Sequence, residues 1–175
     1  ELFKFATMLK NSPNIGTGTL TMKNDPRVLP LGRFLRKTKI NELPQLLNIF
    51  FGDMSVIGPR PLTSQAFESY SDNTKRLIKK VRPGLSGIGS IVFRAEEEIM
   101  HGATGSIDFY ENVIAPYKGK LEEWFVSNKS LYIYFVAIFV TAWTVLIPST
   151  KIVWRVFKDL PEPPHDLKQV LNITD

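Results

Sequence analysis

Asn41-Glu42-Leu43-Pro44-Gln45-Leu46-Leu47-Asn48-Ile49-Phe50-Phe51-Gly52 is the stretch on which the reading of this chain turns. Leu43, Leu46, Leu47 and Phe50 fall at i, i+3, i+4 and i+7, which places them on one apolar face of a helix. Asn41 is expected to be the N-cap, with Pro44 in the first turn, where a missing N–H is harmless, and Gly52 as the stop. Arg33, Arg36, Lys37 and Lys39 precede it, and a basic helical turn is expected over residues 31–37. Cations beside a helix N-terminus make an anion site, because free N–H groups and the helix dipole point the same way. Glu42 then has two readings. It caps the helix start, or it holds a divalent cation whose other ligands are substrate phosphates.

After Gly52 a loop runs to Pro61 and ends in Gly58-Pro59-Arg60-Pro61. The two prolines fix φ around Arg60. Held this way, Arg60 is either a solvated turn arginine or a planar, bidentate phosphate ligand. Upstream, Leu2–Met8 reads as a short strand, Asn11–Gly18 as a polar loop and Thr19–Met22 as a second strand. Downstream, Thr63–Val81 reads as one helix broken by Pro83-Gly84. Leu85–Phe93 reads as a Gly-interrupted strand, and Glu96–Tyr117 as helix, loop and helix. The fold class that results is α+β and mainly helical, with short strands.

Ser130–Thr150 carries no charge over 21 positions, long enough for a bilayer span. Tyr132, Tyr134, Trp143 and Trp154 are of the types that favour headgroup level. A buried core helix, a span and a segment lying in the interface are all compatible with this run. The 175 residues hold no cysteine, which removes disulfides and thiolate metal sites. A net charge of +5 favours anionic partners. Nucleic acid is not expected among them, since no aromatic platform or recognition-helix pattern accompanies the charge. No signal peptide is visible ahead of the strand-like start, and Glu1 is read as an internal position of a longer protein.

A longer ordered string resembles a known family. It comprises Lys4-Phe5-Ala6-Thr7-Met8, Asp25-Pro26-Arg27-Val28 and Leu31-Gly32-Arg33-Phe34-Leu35-Arg36-Lys37-Thr38. It continues with Asn41–Asn48, Gly52–Pro61 and Arg82-Pro83-Gly84-Leu85-Ser86-Gly87, with Arg94 beyond. These are similar to bacterial sugar transferases, the monotopic phosphoglycosyl transferases that act on polyprenyl phosphate. The resemblance implies transfer of a sugar phosphate from a UDP-sugar to undecaprenyl phosphate, with release of UMP and a need for Mg²⁺. It implies an Asp-Glu pair in which the Asp attacks the sugar-linked phosphate and the Glu is associated with the metal, here Glu42. It implies phosphate binding by Arg60 and Arg94. Arg36 and Lys4, within the matched strings, complete the candidate substrate-binding set. Phosphoryl transfer between anions needs charge neutralisation and in-line positioning, which metal, arginines and a carboxylate supply.

The nucleophile position is occupied by Asn41, a neutral amide. A substitution that arrests the covalent step, attack by Glu42 or another acid, direct transfer, and a silent homologue that binds nucleotide sugar or acts as a scaffold all fit this replacement. The family's N-terminal re-entrant membrane helix has no counterpart in this chain. Residues 1–128 are expected to form the catalytic domain, 129–160 a membrane-interacting helical segment and 161–175 a peripheral tail. The implied partners are a UDP-sugar, a polyprenyl phosphate and membrane lipids at the cytoplasmic face of the bacterial inner membrane, with a homo-oligomer left open. Glu96-Glu97-Glu98, His101 and His165 are read as solvated, Asp25 and Asp53 as turn residues. Glu122 falls near a family acid.

Overall fold

The computed structural model describes residues 1–16, 21, 24–94, 107–147 and 151–171. Apart from Thr21, the expected strand at Thr19–Met22 lies outside the described residues, as do the Glu96–Glu98 run and His101.

Helix α1 spans Pro30–Lys37, with Pro30 at its first position, where φ is preset and no donor is lost. A 3₁₀ turn, Ile40–Glu42, follows, entered through Lys39 at φ +60°. Helix α2 is Gln45–Phe50 and closes on Gly52 at φ +83°. Three expectations change here. Asn41 lies inside the 3₁₀ turn, caps nothing with its side chain, and is buried. Helix α2 is six residues long, too short for its N-terminus to act as an anion site. Its apolar face points outward: Leu43, Leu46, Leu47 and Phe50 are exposed, Phe50 by 83%, while Gln45 and Asn48 are buried. Periodicity identifies a face but not its destination. The polar side chains face inward because Asn48 ties down the N-terminal segment. It accepts from Phe3 N–H (2.9 Å) and donates to Glu1 C=O (2.7 Å).

Those bonds also explain why Leu2–Met8 is not a strand. Phe3 N–H goes to the Asn48 side chain and Phe5 N–H to Asn41 C=O at 3.1 Å, so only an isolated antiparallel bridge, Met8 to Val28, remains. Asp25 is likewise more than a turn residue. Its carboxylate is buried and takes the Arg27 guanidinium at 2.6 Å, and Arg27 also donates to the Ser12 and Ile15 carbonyls.

Strand β1, Ser55–Ile57, falls in the expected loop. It pairs in parallel with β2, Gly84–Ser86, with Ser55 opposite Gly84 and Ile57 opposite Ser86. The expected helix 63–81 is two: α3, Ser64–Glu68, and α4, Asp72–Ile78. Ser71 caps α4 by accepting from Thr74 N–H at 3.1 Å, a chain break of the kind serine favours. Most of the expected strand 85–93 is helix α5, Ile88–Val92, whose side chains are buried on nearly all sides.

Helix α6 runs without interruption through Ile107–Phe109, a π-helical turn Tyr110–Ile114, and Ala115–Ser127. Helix α7, Leu131–Leu146, is capped by Ser130, which accepts from Ile133 N–H. Helices α8, Lys151–Val156, and α9, His165–Val170, complete the order. The core gathers Ile88, Val92, Ile114, Leu121, Phe125, Val140, Val153 and Leu167. Leu167 and Leu171, in the segment expected to be peripheral, are thus buried.

Helix α7 has 16 residues, about 24 Å at 1.5 Å per residue, against a hydrocarbon core of about 30 Å. Among the described residues no helix is long and apolar enough to cross a membrane, so the spanning reading is not met by this helix. One side of α7 packs inward through Ala137, Val140 and Thr144. The other exposes Leu131, Tyr132, Phe135, Phe139 and Leu146.

Candidate functional site

Three distant segments converge on Glu42. The 3₁₀ turn places its carboxylate opposite the Pro59-Arg60-Pro61 turn, and the extended N-terminal segment brings Lys4 alongside. Arg60 donates from Nη2 to Oε1 at 2.9 Å and from Nη1 to Oε2 at 3.1 Å, a two-toothed pair. Lys4 Nζ stands 3.6 Å from Oε1. Arg60 Nη1 also donates to Leu85 C=O on strand β2.

The frame under Arg60 is backbone packed on backbone. Gly58 N–H donates to Ser86 C=O at 2.9 Å, and Gly84 N–H to Pro59 C=O at 2.8 Å. A Cβ on Gly84 would stand 2.2 Å from Gly58 N, and one on Gly87 2.2 Å from Gly58 C=O. These glycines are present because nothing larger fits between β1 and β2 where the turn leaves the sheet. Helix α7 buttresses the same strands: Val56 N–H donates to the Tyr134 hydroxyl at 3.2 Å, and the Ser86 and Thr141 hydroxyls bond at 3.1 Å.

The electrostatics follow from this packing. Burial alone would raise the Glu42 carboxyl, but the Arg60 hydrogen bonds and the charges of Arg60, Lys4 and Lys39 outweigh it and hold the group below the usual carboxylate range. Glu42 is therefore an ionised acid at neutral pH. The Lys4 ammonium is pushed down by burial and by the neighbouring charges of Arg60 and Arg36, against the pull of Glu42. Arg36 thus belongs to the same electrostatic cluster. Arg94 does not join the Glu42 pair; it donates to Val145 C=O on α7 at 3.5 Å, and burial lowers its pKa.

Asn41 is 3% exposed, and its Oδ1 is buried with no hydrogen-bond partner. A buried amide oxygen without a partner and an ionised carboxylate are both oxygen donors of the kind a hard divalent cation accepts. Among the described residues no group of three or more His, Cys, Asp and Glu could hold a metal ion. Glu42 and the Asn41 oxygen are the two residues that could hold a divalent cation, with phosphate oxygens and water left to complete its shell.

Glu122, on α6, was legible from the sequence only by its resemblance to a family acid. It is wholly buried under the β2–α5 turn, receives the Gly89 N–H, and leaves Oε2 without a partner. Burial pushes its carboxyl up to about 8, against the charges of Lys118 and Arg60. Asn48 was missed altogether, since nothing local marks an asparagine that bonds to residues 1 and 3.

Residues 1–148 match the family described as bacterial sugar transferase. Over 158 residues the chain is 32% identical to the undecaprenyl-phosphate galactose phosphotransferase of Salmonella typhimurium, covering 82% of this chain and 30% of that protein. Over 112 residues it is 36% identical to the UDP-glucose:undecaprenyl-phosphate glucose-1-phosphate transferase of Escherichia coli, covering 62% of this chain and 24% of that one. The exopolysaccharide production protein ExoY of Rhizobium meliloti is 48% identical over 73 residues, 42% of this chain and 32% of ExoY. The chain spans under a third of the length of each of these relatives.

Proposed function

Since this chain belongs to the bacterial sugar transferase family, we propose that it transfers a sugar phosphate from a UDP-sugar to a polyprenyl phosphate such as undecaprenyl phosphate, releasing UMP. The single observation that carries the reading is the Arg60–Glu42–Lys4 cluster, in which two cations are held on stiff backbone around one ionised carboxylate. Such a cluster can exchange internal bonds for bonds to a diphosphate: Arg60 and Lys4 turn to phosphate oxygens, with Arg36 adding charge. Mg²⁺, held by Glu42 and the Asn41 oxygen, would supply neutralisation of the phosphate charge.

Asn41 has no negative charge and no usable lone pair on its amide nitrogen, so it does not attack. Both Glu42 oxygens face Arg60, which suits holding charge better than attacking phosphorus. We therefore read the step as direct transfer. An oxygen of the polyprenyl phosphate bonds to the sugar-linked phosphorus, the bond from that phosphorus to the bridging oxygen breaks, and UMP leaves with the electron pair. The residues' task is to hold the two anions in line.

The exposed apolar side chains of α2 and α7 support a seat in the cytoplasmic leaflet of the bacterial inner membrane, where the lipid acceptor resides. A second reading, a nucleotide-sugar binder that no longer transfers, is favoured by Asn41 alone. Release of UMP from a panel of UDP-sugars, with and without polyprenyl phosphate in mixed micelles, tests the proposal. Lipid-dependent UMP release supports transfer. Binding of a UDP-sugar without release in any combination selects the second reading.

A further inference from the structure

A cleft of about 410 Å³ is bordered by the Pro59-Arg60-Pro61 turn. That volume is within the roughly 300–1,000 Å³ usual for small-molecule sites. Its walls are the turn itself, the inner side of α3 with Ser64, Phe67 and Glu68, and the end of α4 with Ile78 and Lys79. Arg60 borders the cleft and also holds Glu42, so cleft and charged cluster share one residue.

Phe67 is half-buried, and its ring meets two cations. Lys79 Nζ stands 5.0 Å from the ring centre and Lys75 Nζ 5.7 Å. Lys75 is retained by Glu68 at 2.7 Å and by its contact with Asp72, whereas Lys79 is exposed at the C-cap of its helix. The cleft therefore offers an aromatic face under an exposed cation, an apolar wall at Ile78, a hydroxyl at Ser64, and a guanidinium at one end. Those groups correspond in kind to a base, a ribose and a phosphate.

We infer that this cleft seats the nucleoside monophosphate half of the sugar donor, with the pyrimidine stacked on Phe67, Lys79 displaced from the ring onto the nucleotide phosphate, and Arg60 at the boundary with the sugar-linked phosphate. The inference rests on the transfer reading above and adds to it where the donor's nucleotide lies. Lys79 has two arrangements with one logic. Without nucleotide it shields the ring from water through a cation–π contact, and with nucleotide it exchanges the ring for a phosphate. Stacking on an aromatic face is indifferent to base identity, so the cleft accounts for affinity toward the nucleotide. Choice among bases would fall to polar edges such as Ser64 and the turn carbonyls.

The test measures UMP affinity by calorimetry, and KM for UDP-sugar and for polyprenyl phosphate, in wild type, Phe67→Leu, Lys79→Ala and the control Lys80→Ala. Ribose 5-phosphate, which lacks the base, is the second probe. Phe67→Leu should weaken UMP binding roughly tenfold, the scale of one lost stacking contact, and leave ribose 5-phosphate unchanged. Lys79→Ala should weaken both probes several-fold, and KM for the lipid acceptor should stay put throughout. Lys79 is exposed, so its variant carries the test even if Phe67→Leu lowers the melting temperature. Wild-type turnover with UMP affinity unaltered in both variants overturns this inference and leaves the transfer reading standing. A wild type that neither binds UMP nor releases it from any UDP-sugar overturns both.

Discussion

Arg60→Lys keeps the charge and removes the geometry, so it isolates what the stiff turn is for. Arginine gives Glu42 two parallel bonds, at 2.9 and 3.1 Å, and a third to Leu85 C=O. Lysine, a single point charge on a flexible stem, keeps at most one of the two carboxylate bonds in a fixed direction. A charge-assisted hydrogen bond contributes about 1.5–3 kcal/mol. When a donor phosphate takes the place of Glu42, it is the same two-toothed geometry that lysine cannot reproduce, and with the Arg60 side chain 30% exposed solvent screening places the loss at the lower end, about 1.5–2 kcal/mol. At about 1.4 kcal/mol per decade, kcat/KM for the UDP-sugar should fall roughly 10- to 30-fold. The assay is UMP release under subsaturating donor, with a thermal melt of each variant to exclude unfolding. A kcat/KM within twofold of wild type, in a variant that melts normally, would refute the bidentate role and leave Arg60 as a mere counter-charge.

Asn41→Asp places a carboxylate where the resemblance implies a nucleophile; a phosphosugar adduct detected by intact-protein mass before lipid is added is the expected outcome. An adduct already present on the Asn41 protein would instead identify Glu42 or another acid as attacking, and would end the direct-transfer reading. Glu122→Gln should remove a pH dependence of stability. The folded carboxyl titrates near 8 and the unfolded one near 4.3, so the native state holds the extra proton and stability falls as pH rises from about 4.3 to about 8. The variant should show a flat melting temperature across that window where the wild type declines, and parallel declines in both would contradict it. Arg27→Ala strands the buried Asp25 carboxylate and should cost about 3–5 kcal/mol in urea unfolding. A loss below about 1 kcal/mol would show that Asp25 finds water.

Helix α1 was legible over residues 31–37 from its basic residues, and its start at Pro30 was not. Helix α2 was legible as a helix and misleading as to face, since apolar spacing alone does not say whether the stripe meets a core or something outside the chain. Strand β1 was invisible: three residues between Gly52 and Gly58 carry no alternation, and only the parallel partner 29 positions on makes them a strand. The break at Ser71 was written in the sequence as an N-cap serine before Asp72, and the apolar positions on either side obscured it. Glu42 and Arg60 were each legible as candidates from resemblance, whereas their bidentate pairing and the approach of Lys4 arise from long-range packing that no local window contains.

The glycine seam beneath Arg60 sets the evolvability of the whole site. Gly58, Gly84 and Gly87 meet with gaps too small for a methyl group, Gly58 itself leaving 2.7 Å to the Arg82 carbonyl. At those three positions the usable alphabet has one letter, and a library randomised across the turn would be spent almost entirely on chains that cannot close the sheet. Ser64, Glu68 and Lys79 are exposed and border the cleft, and side chains there can change without meeting backbone. Retargeting the protein to a different donor is thus a matter of redecorating helices α3 and α4 around a hinge-free, unalterable backbone joint.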